Sequence, residues 1–164
     1  MAVTLQVDRV PLAELDAARV SSAQLERVVS FGAVAASDYL DLDWARTGLL
    51  WLSEKAGEPV ESAMRRALDG DAAIDSAAGM GLGLYSQVSF LEPPSVVEVA
   101  SVLAGLDVEV FLAALPVDLG ESRAVMGGDF GRDPRGYLAG HLQALRSFFG
   151  KGASRGLAMM VWWD

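Results

Sequence analysis

The sequence contains no cysteine and a single histidine, His141. Without cysteine the chain cannot form a disulfide framework, a zinc finger, an iron–sulfur site or a thiol nucleophile. One histidine also excludes a histidine-rich metal cage. We therefore expect neither a metal nor a cofactor.

Lysine and arginine are missing from residues 67–122, a stretch that contains nine Asp or Glu residues. The whole chain has 13 basic and 22 acidic residues, giving a net charge of −9. Binding to bare nucleic acid needs clustered Lys and Arg, so this class of partner is excluded. Residues 67–122 are called the acidic third below, and two interpretations of them remain. They form a solvated face that keeps the protein soluble, or a surface that attracts a basic protein partner.

Long apolar runs are missing too. The longest stretch without a charged residue is Ser76–Leu91, which is interrupted by three glycines and is too short and too polar to span a bilayer. Asp8 and Arg9 stand where the apolar part of an export signal would be. The sequence predicts a cytoplasmic protein with no membrane segment.

What is present is enough apolar sequence for one core. The chain has 164 residues, 52% of them hydrophobic, which predicts a single domain over residues 1–164. Apolar periodicity predicts strands over 2–8, 82–91 and 157–163, and helices over 11–18, 21–29, 43–54, 58–70, 92–106, 107–115 and 134–156. Because helices outnumber strands about two to one, we expect an α+β fold with a small mixed or antiparallel sheet covered by several helices.

Local signals place several helix ends. Ser21 and Gln24 have capping-box spacing, and Pro93 suits the first turn of a helix. Asp133 precedes Pro134 at the start of the last helix, and Gly156 is expected to end it. Asp41 or Asp43 is expected to cap the third helix. Residues 116–133 are expected to form a long connection, a kind of segment that is often functional.

The four tryptophans give two further expectations. Trp44 and Trp51 are seven residues apart on one predicted helix, so both are expected to be buried against the sheet. Trp162 and Trp163 are adjacent in the last predicted strand and must point to opposite faces. One of them, Trp163, is a candidate contact residue. The last strand is expected to pair with the 82–91 strand or with the opening strand.

The order of these signals resembles the YfbM-like family of small bacterial proteins. The resemblance covers nearly the whole chain and is carried by structural motifs: Leu40–Asp43 before a Trp-bearing helix, Pro59 to Gly70, Phe90–Pro93 before a Val-rich helix, and Tyr137-Leu138 with Phe148-Phe149 in the last helix. It implies an α+β fold in a cytoplasmic bacterial protein whose family function is unknown.

The chain also departs from this family. Members tend to carry a Leu-His pair on the third helix, where this chain has Leu49-Leu50. They tend to show Gly-Pro and an arginine in the strand, where this chain has Ser86, Gln87 and Ser89. For this reason the resemblance assigns no functional residue.

Two classes of function remain. The leading hypothesis is a non-catalytic protein-interaction domain, inhibitor-like or immunity-like, with an acidic surface. The sequence assigns it no oligomeric state. Its candidate contact residues are Asp69, Asp71, Asp75, Glu109, Asp118, Glu121 and Trp163. The alternative is a hydrolase-type enzyme that acts on an anionic substrate through residues 116–135. Arg123, Arg132 and Arg135 would hold that substrate. Its weak catalytic candidates are Asp129, Asp133 and His141, which would have to meet in one cleft.

Overall fold

A computed structural model describes residues 3–74, 87–127 and 133–164. The strands are β1 (Leu5–Val10), β2 (Tyr39–Asp41), β3 (Ala72–Ala73), β4 (Ser89–Leu91) and β5 (Ala158–Trp163). The helices are α1 (Leu12–Val20), α2 (Ser22–Val29), α3 (Ala45–Ala56), α4 (Val60–Asp69), α5 (Pro93–Gly105), α6 (Val108–Leu112), α7 (Leu119–Val125) and α8 (Pro134–Arg155). This composition confirms the predicted α+β class.

The five strands form one antiparallel sheet in the order β2-β1-β5-β4-β3. β5 pairs along its whole length with β1 and over Met159–Val161 with β4. The predicted pairing of the last strand is therefore confirmed with both expected neighbours. Of the strand predicted over 82–91, Ser89–Leu91 is confirmed, and residues 75–86 lie outside the described residues.

Two hydrophobic cores lie on opposite faces of this sheet. The larger core joins the sheet to helices α3 to α8 and includes Leu49, Leu142 and Phe149. The smaller core lies under α1 and α2 and includes Leu15 and Trp162. Because each face has its own helical cover, the central strands are buried on both sides.

Burial on both faces changes the expectation for the opening strand. It was predicted over residues 2–8, whereas β1 runs from Leu5 to Val10 and all six of its residues are buried, including the polar ones. Arg9 faces the larger core, where its guanidinium lies 4.1 Å from the centre of the Phe148 ring. It is neutralised by Asp38, with 2.8 Å between Nη2 and Oδ1.

The helix ends follow the local signals except at α3. Ser21 accepts a hydrogen bond from the Gln24 amide at 3.4 Å, Asp133 accepts one from Gly136, and Gly156 ends α8 in the left-handed conformation. The prediction that Asp41 or Asp43 caps α3 is wrong. Trp44 occupies that position without a side-chain cap, because both carboxylates are used elsewhere.

The structure also corrects the long connection at 116–133. It contains α7, whose first turn is capped by Asp118 through a 2.9 Å hydrogen bond from the Glu121 amide. The sequence signal for the start of α7 was a single Asp three residues before Glu121. This pattern is too common to have predicted a seven-residue helix.

The burial predicted for Trp44 and Trp51 is wrong for Trp44 and only partly met for Trp51. Trp44 is 40% exposed because it lies at the cap and not on the inner face of α3. Trp51 is half-buried at the margin of the larger core, and the Lys55 ammonium lies 5.1 Å from its ring. The inner face of α3 is formed instead by Ala45, Leu49 and Leu52.

Candidate functional site

Three of the predicted contact carboxylates, Asp69, Asp71 and Glu109, are held in ion pairs. Arg46 donates two hydrogen bonds to Asp69, at 2.7 and 2.9 Å. Arg66 does the same to Asp71, at 2.7 and 3.1 Å, and also bonds Glu98 at 2.9 Å. Partial burial acts to raise the pKa of Asp71, but the hydrogen bonds from Arg66 bring that pKa below its ordinary value. These arginines, both N-terminal to the acidic third, neutralise much of its first half.

Asp69 also lines a groove at the end of the sheet, beside Trp163. The groove has a volume of about 260 Å³ and opens where β5 continues past the last residue paired with β4. Trp163 is half-buried there, and Trp162 points to the other face of the sheet, as predicted. Asp75, another predicted contact residue, lies outside the described residues.

Three carboxylates of the acidic third remain without a cation. Asp107, Asp118 and Glu121 are exposed, and within the described part of the chain no Lys or Arg side chain forms an ion pair with them. Asp107 and Asp118 cap α6 and α7 and so are fixed in place. Glu109 stands between them and pairs at 2.9 Å with Arg135 of α8.

Large apolar side chains are exposed beside these carboxylates. Val110 is 72% exposed, Val117 is fully exposed and Leu119 is partly exposed. We call residues 107–121, with their carboxylates and exposed apolar side chains, the α6–α7 surface. Exposed apolar side chains rimmed by polar and charged groups make this surface a candidate protein contact site.

Two grooves border the α6–α7 surface. The first lies between α6 and the facing ends of α3 and α4 and has a volume of about 320 Å³. It is lined by Lys55, Ala56, Val60, Leu106, Asp107, Val110, Phe111 and Ala114. The second, of about 310 Å³, is lined by Leu115, Pro116, Val117, Leu119, Ser122, Asp133, Pro134 and Arg135.

The described members of the predicted catalytic and substrate-binding set do not meet in one cleft. Asp133 is occupied as the cap of α8, and His141 lies two turns further along that helix, about 12 Å away at 1.5 Å per residue. Arg135 donates to the Leu112 carbonyl and to Glu109. Asp129 and Arg132 fall outside the described residues.

His141 instead belongs to a cluster that links α8 to the start of α3. Its ring lies 4.4 Å from the ring of Tyr137. The Tyr137 hydroxyl donates to Asp43 Oδ2 at 3.0 Å and accepts from the Trp44 amide at 3.1 Å. Asp41 in turn accepts from the Asp43 amide at 2.7 Å. This arrangement explains why neither aspartate caps α3.

Burial in the cluster disfavours the charged forms of both His141 and Tyr137. Burial lowers the pKa of His141, and the charges of Asp43 and Asp41 only partly oppose that effect. Burial, with the hydrogen bond to Asp43, raises the pKa of Tyr137 to about 12. The imidazole is therefore harder to protonate than that of a solvent-exposed histidine, and the phenol serves as a hydrogen-bond donor to Asp43. Among the described residues no three His, Asp or Glu side chains are placed to share a metal ion.

Replacing Tyr137 with Phe is expected to reduce the free energy of unfolding by about 1–3 kcal/mol. The change leaves the Asp43 carboxylate and the Trp44 amide without a shared partner, and Asp43 already has a left-handed backbone with φ +49°. Urea denaturation would measure the loss. Tyr39→Phe is the matched control, since its hydroxyl accepts a hydrogen bond from the Val34 amide and has no carboxylate partner among the described residues. Equal losses in both variants would contradict the role given to the Tyr137 hydroxyl.

Sequence reasoning missed this cluster because its members are distant in the chain. Asp43 and Tyr137 are 94 residues apart, and neither carries a motif that names the other. The clue was Asp41-x-Asp43 before a helix, which was interpreted as a cap.

Comparisons with known proteins bear on the fold. No family model and no curated protein matches the chain. Among solved structures it is similar to the crystal structure of a protein of unknown function, YfbM from Escherichia coli, with a TM-score of 0.66 and 14% sequence identity. The match covers 98% of this chain and 99% of that one. No described helix combines the length and apolar character of a membrane span. The chain thus has the YfbM-like α+β fold that its sequence resembles, the fold of a protein whose function is itself unknown.

Proposed function

We propose that this chain is a non-catalytic binding protein that captures a basic protein partner, in an inhibitor-like or immunity-like role. The observation that carries the proposal is the α6–α7 surface. Its Asp107, Asp118 and Glu121 have no ion-pair partner among the described residues, and exposed valines stand beside them. Elsewhere in the acidic third, arginines already neutralise Asp69 and Asp71.

Unpaired carboxylates suit the capture of a basic partner for an electrostatic reason. Charges of one sign raise the local concentration of an oppositely charged protein and speed its association. The net charge of −9 adds to that attraction. Because Asp107 and Asp118 cap helices, their side chains are already ordered, so binding a partner costs little side-chain entropy at these positions.

The enzyme alternative has no observation of this kind in its favour. Of its catalytic candidates, Asp133 is committed to a helix cap, and His141 contacts Tyr137. Arg135, expected to hold an anionic substrate, is bonded to Glu109 and to a backbone carbonyl.

Removing the three unpaired charges is expected to slow association with the partner at least tenfold at low salt. The variant Asp107→Asn/Asp118→Asn/Glu121→Gln keeps both caps, since Asn caps helices as well as Asp. A basic protein captured by the wild-type chain would be purified, and its association rate measured from 20 to 500 mM salt. The wild-type rate should fall steeply with salt, because the screening length shortens to about 8 Å near 0.15 M.

A matched variant removes the same charge from elsewhere. Asp16→Asn/Glu26→Gln/Asp164→Asn makes the net charge less negative by the same amount, at exposed positions outside the α6–α7 surface and its two grooves. It should change the association rate much less. Equal slowing by the two variants, or an association rate that ignores salt, would refute the proposed function.

A further inference from the structure

We propose that the groove beside α6 recognises an amphipathic basic segment of the partner, with an apolar side chain in the groove and Lys or Arg against the flanking carboxylates. This inference rests on the proposed function and specifies its partner. It assigns Val110 and the groove that it lines the role of binding an apolar side chain of the partner, which carboxylates alone cannot do.

The groove is apolar where it is deep and charged at its rim. Phe111 is buried, Val110 is exposed, and Val60, Leu106 and two alanines complete the apolar lining. Its volume of about 320 Å³ equals that of about ten waters at 30 Å³ each, enough for an apolar side chain. Transfer of such a side chain out of water stabilises a complex in proportion to the apolar area that it buries.

The charge around the groove favours Lys or Arg in the partner segment on either side of its apolar residue. Asp107 lies in the lining and has no ion-pair partner among the described residues. Glu109, the second residue of α6, has most of its side chain in solvent and is paired with Arg135 at 2.9 Å. Asp118 and Glu121 are two further exposed carboxylates within residues 107–121. The one cation of the lining, Lys55, is turned toward the Trp51 ring. A cationic segment is therefore favoured and an acidic one repelled.

The same charge disfavours the other occupants of an apolar groove. A second copy of the chain would bring a net charge of −9 to an acidic surface, and like charges in contact reduce affinity. An anionic lipid surface would be repelled for the same reason. A basic amphipathic peptide satisfies both the apolar groove and its acidic rim.

The test uses the full chain and two fluorescein-labelled 14-residue peptides of leucine and lysine. In one the leucines fall at helical spacing on one face; in the other the same residues are scrambled. We expect the amphipathic peptide to bind at least tenfold more tightly than the scrambled one. Val110→Glu should weaken binding of the amphipathic peptide at least tenfold, and Ala114→Trp, which fills the groove, should do the same.

Val97→Glu is the matched control, because Val97 is a 51%-exposed valine on α5 that does not line the groove. It should change affinity less than twofold, and the unfolding midpoint of each variant shows that it is folded. Equal binding of the two peptides, or equal effects of Val110→Glu and Val97→Glu, would overturn the inference. So would a wild-type dimer in sedimentation that Val110→Glu converts to monomer.

Failure of this inference is distinguishable from failure of the proposed function. If both peptides bind equally and only Asp107→Asn/Asp118→Asn/Glu121→Gln weakens them, the groove has no role and the acidic surface still captures basic partners. If that charge variant also leaves peptide affinity and its salt dependence unchanged, the proposed function fails as well.

Discussion

Replacing Asp8 with Asn is expected to stabilise the protein at pH 7 by about 4 kcal/mol. Asp8 lies in the middle of β1 and is 0% exposed, and no described residue donates a hydrogen bond to either of its carboxylate oxygens. Burial, assisted by the charge of Asp38, raises its pKa from 3.8 to about 9. Asn has nearly the same shape and is neutral at every pH, so it avoids the cost of this shifted ionisation.

The pH dependence has a definite sign. Between pH 3.8 and about 9 the folded protein holds a proton on Asp8 that the unfolded chain has released. The contribution of Asp8 to the free energy of unfolding is therefore fully present below about pH 4 and falls by about 1.4 kcal/mol per pH unit as the pH rises toward 9. Wild type and Asp8→Asn should be equally stable near pH 4 and diverge steadily above it.

Urea denaturation from pH 4 to pH 9 would measure this divergence. Asp16→Asn, at an exposed position on α1, is the matched control and should follow the wild type throughout. A constant difference between Asp8→Asn and the wild type, independent of pH, would show that Asp8 does not carry the shifted ionisation.

Replacing Trp162 with Ala is expected to cost about 3–5 kcal/mol, a large share of the stability of a domain of this size. Trp162 is 1% exposed on β5, and its ring lies 5.9 Å from that of Phe31 in the smaller core. Truncation leaves a cavity under α1 and α2 that the paired strand cannot close.

Trp44→Ala is the matched control for this loss. Its side chain is 40% exposed, and the amide that bonds Tyr137 belongs to the backbone and survives the change. We expect a loss of about 1 kcal/mol or less. Equal denaturation midpoints for the two variants would refute the division between buried and exposed tryptophans.

The sequence by itself determined the elements whose signals are local. Ser21 with Gln24, Pro93 at the start of α5, and Asp133 and Gly156 at the ends of α8 were all predicted. Each acts on backbone groups a few residues away, so its effect does not depend on the rest of the fold. The apolar last strand and the α+β class follow from periodicity in the same way.

Tertiary structure decided which polar groups find partners. Nothing near Asp43 in the chain indicates Tyr137, and nothing near Asp8 indicates a strand covered on both faces. The acidic third was visible as a run of charge, but only the folded chain shows that Arg66 neutralises Asp71, whereas Asp118 has no ion-pair partner within the described ranges. Charge is a property of composition, whereas a pKa or an ion pair depends on distances and burial that only the assembled layers define.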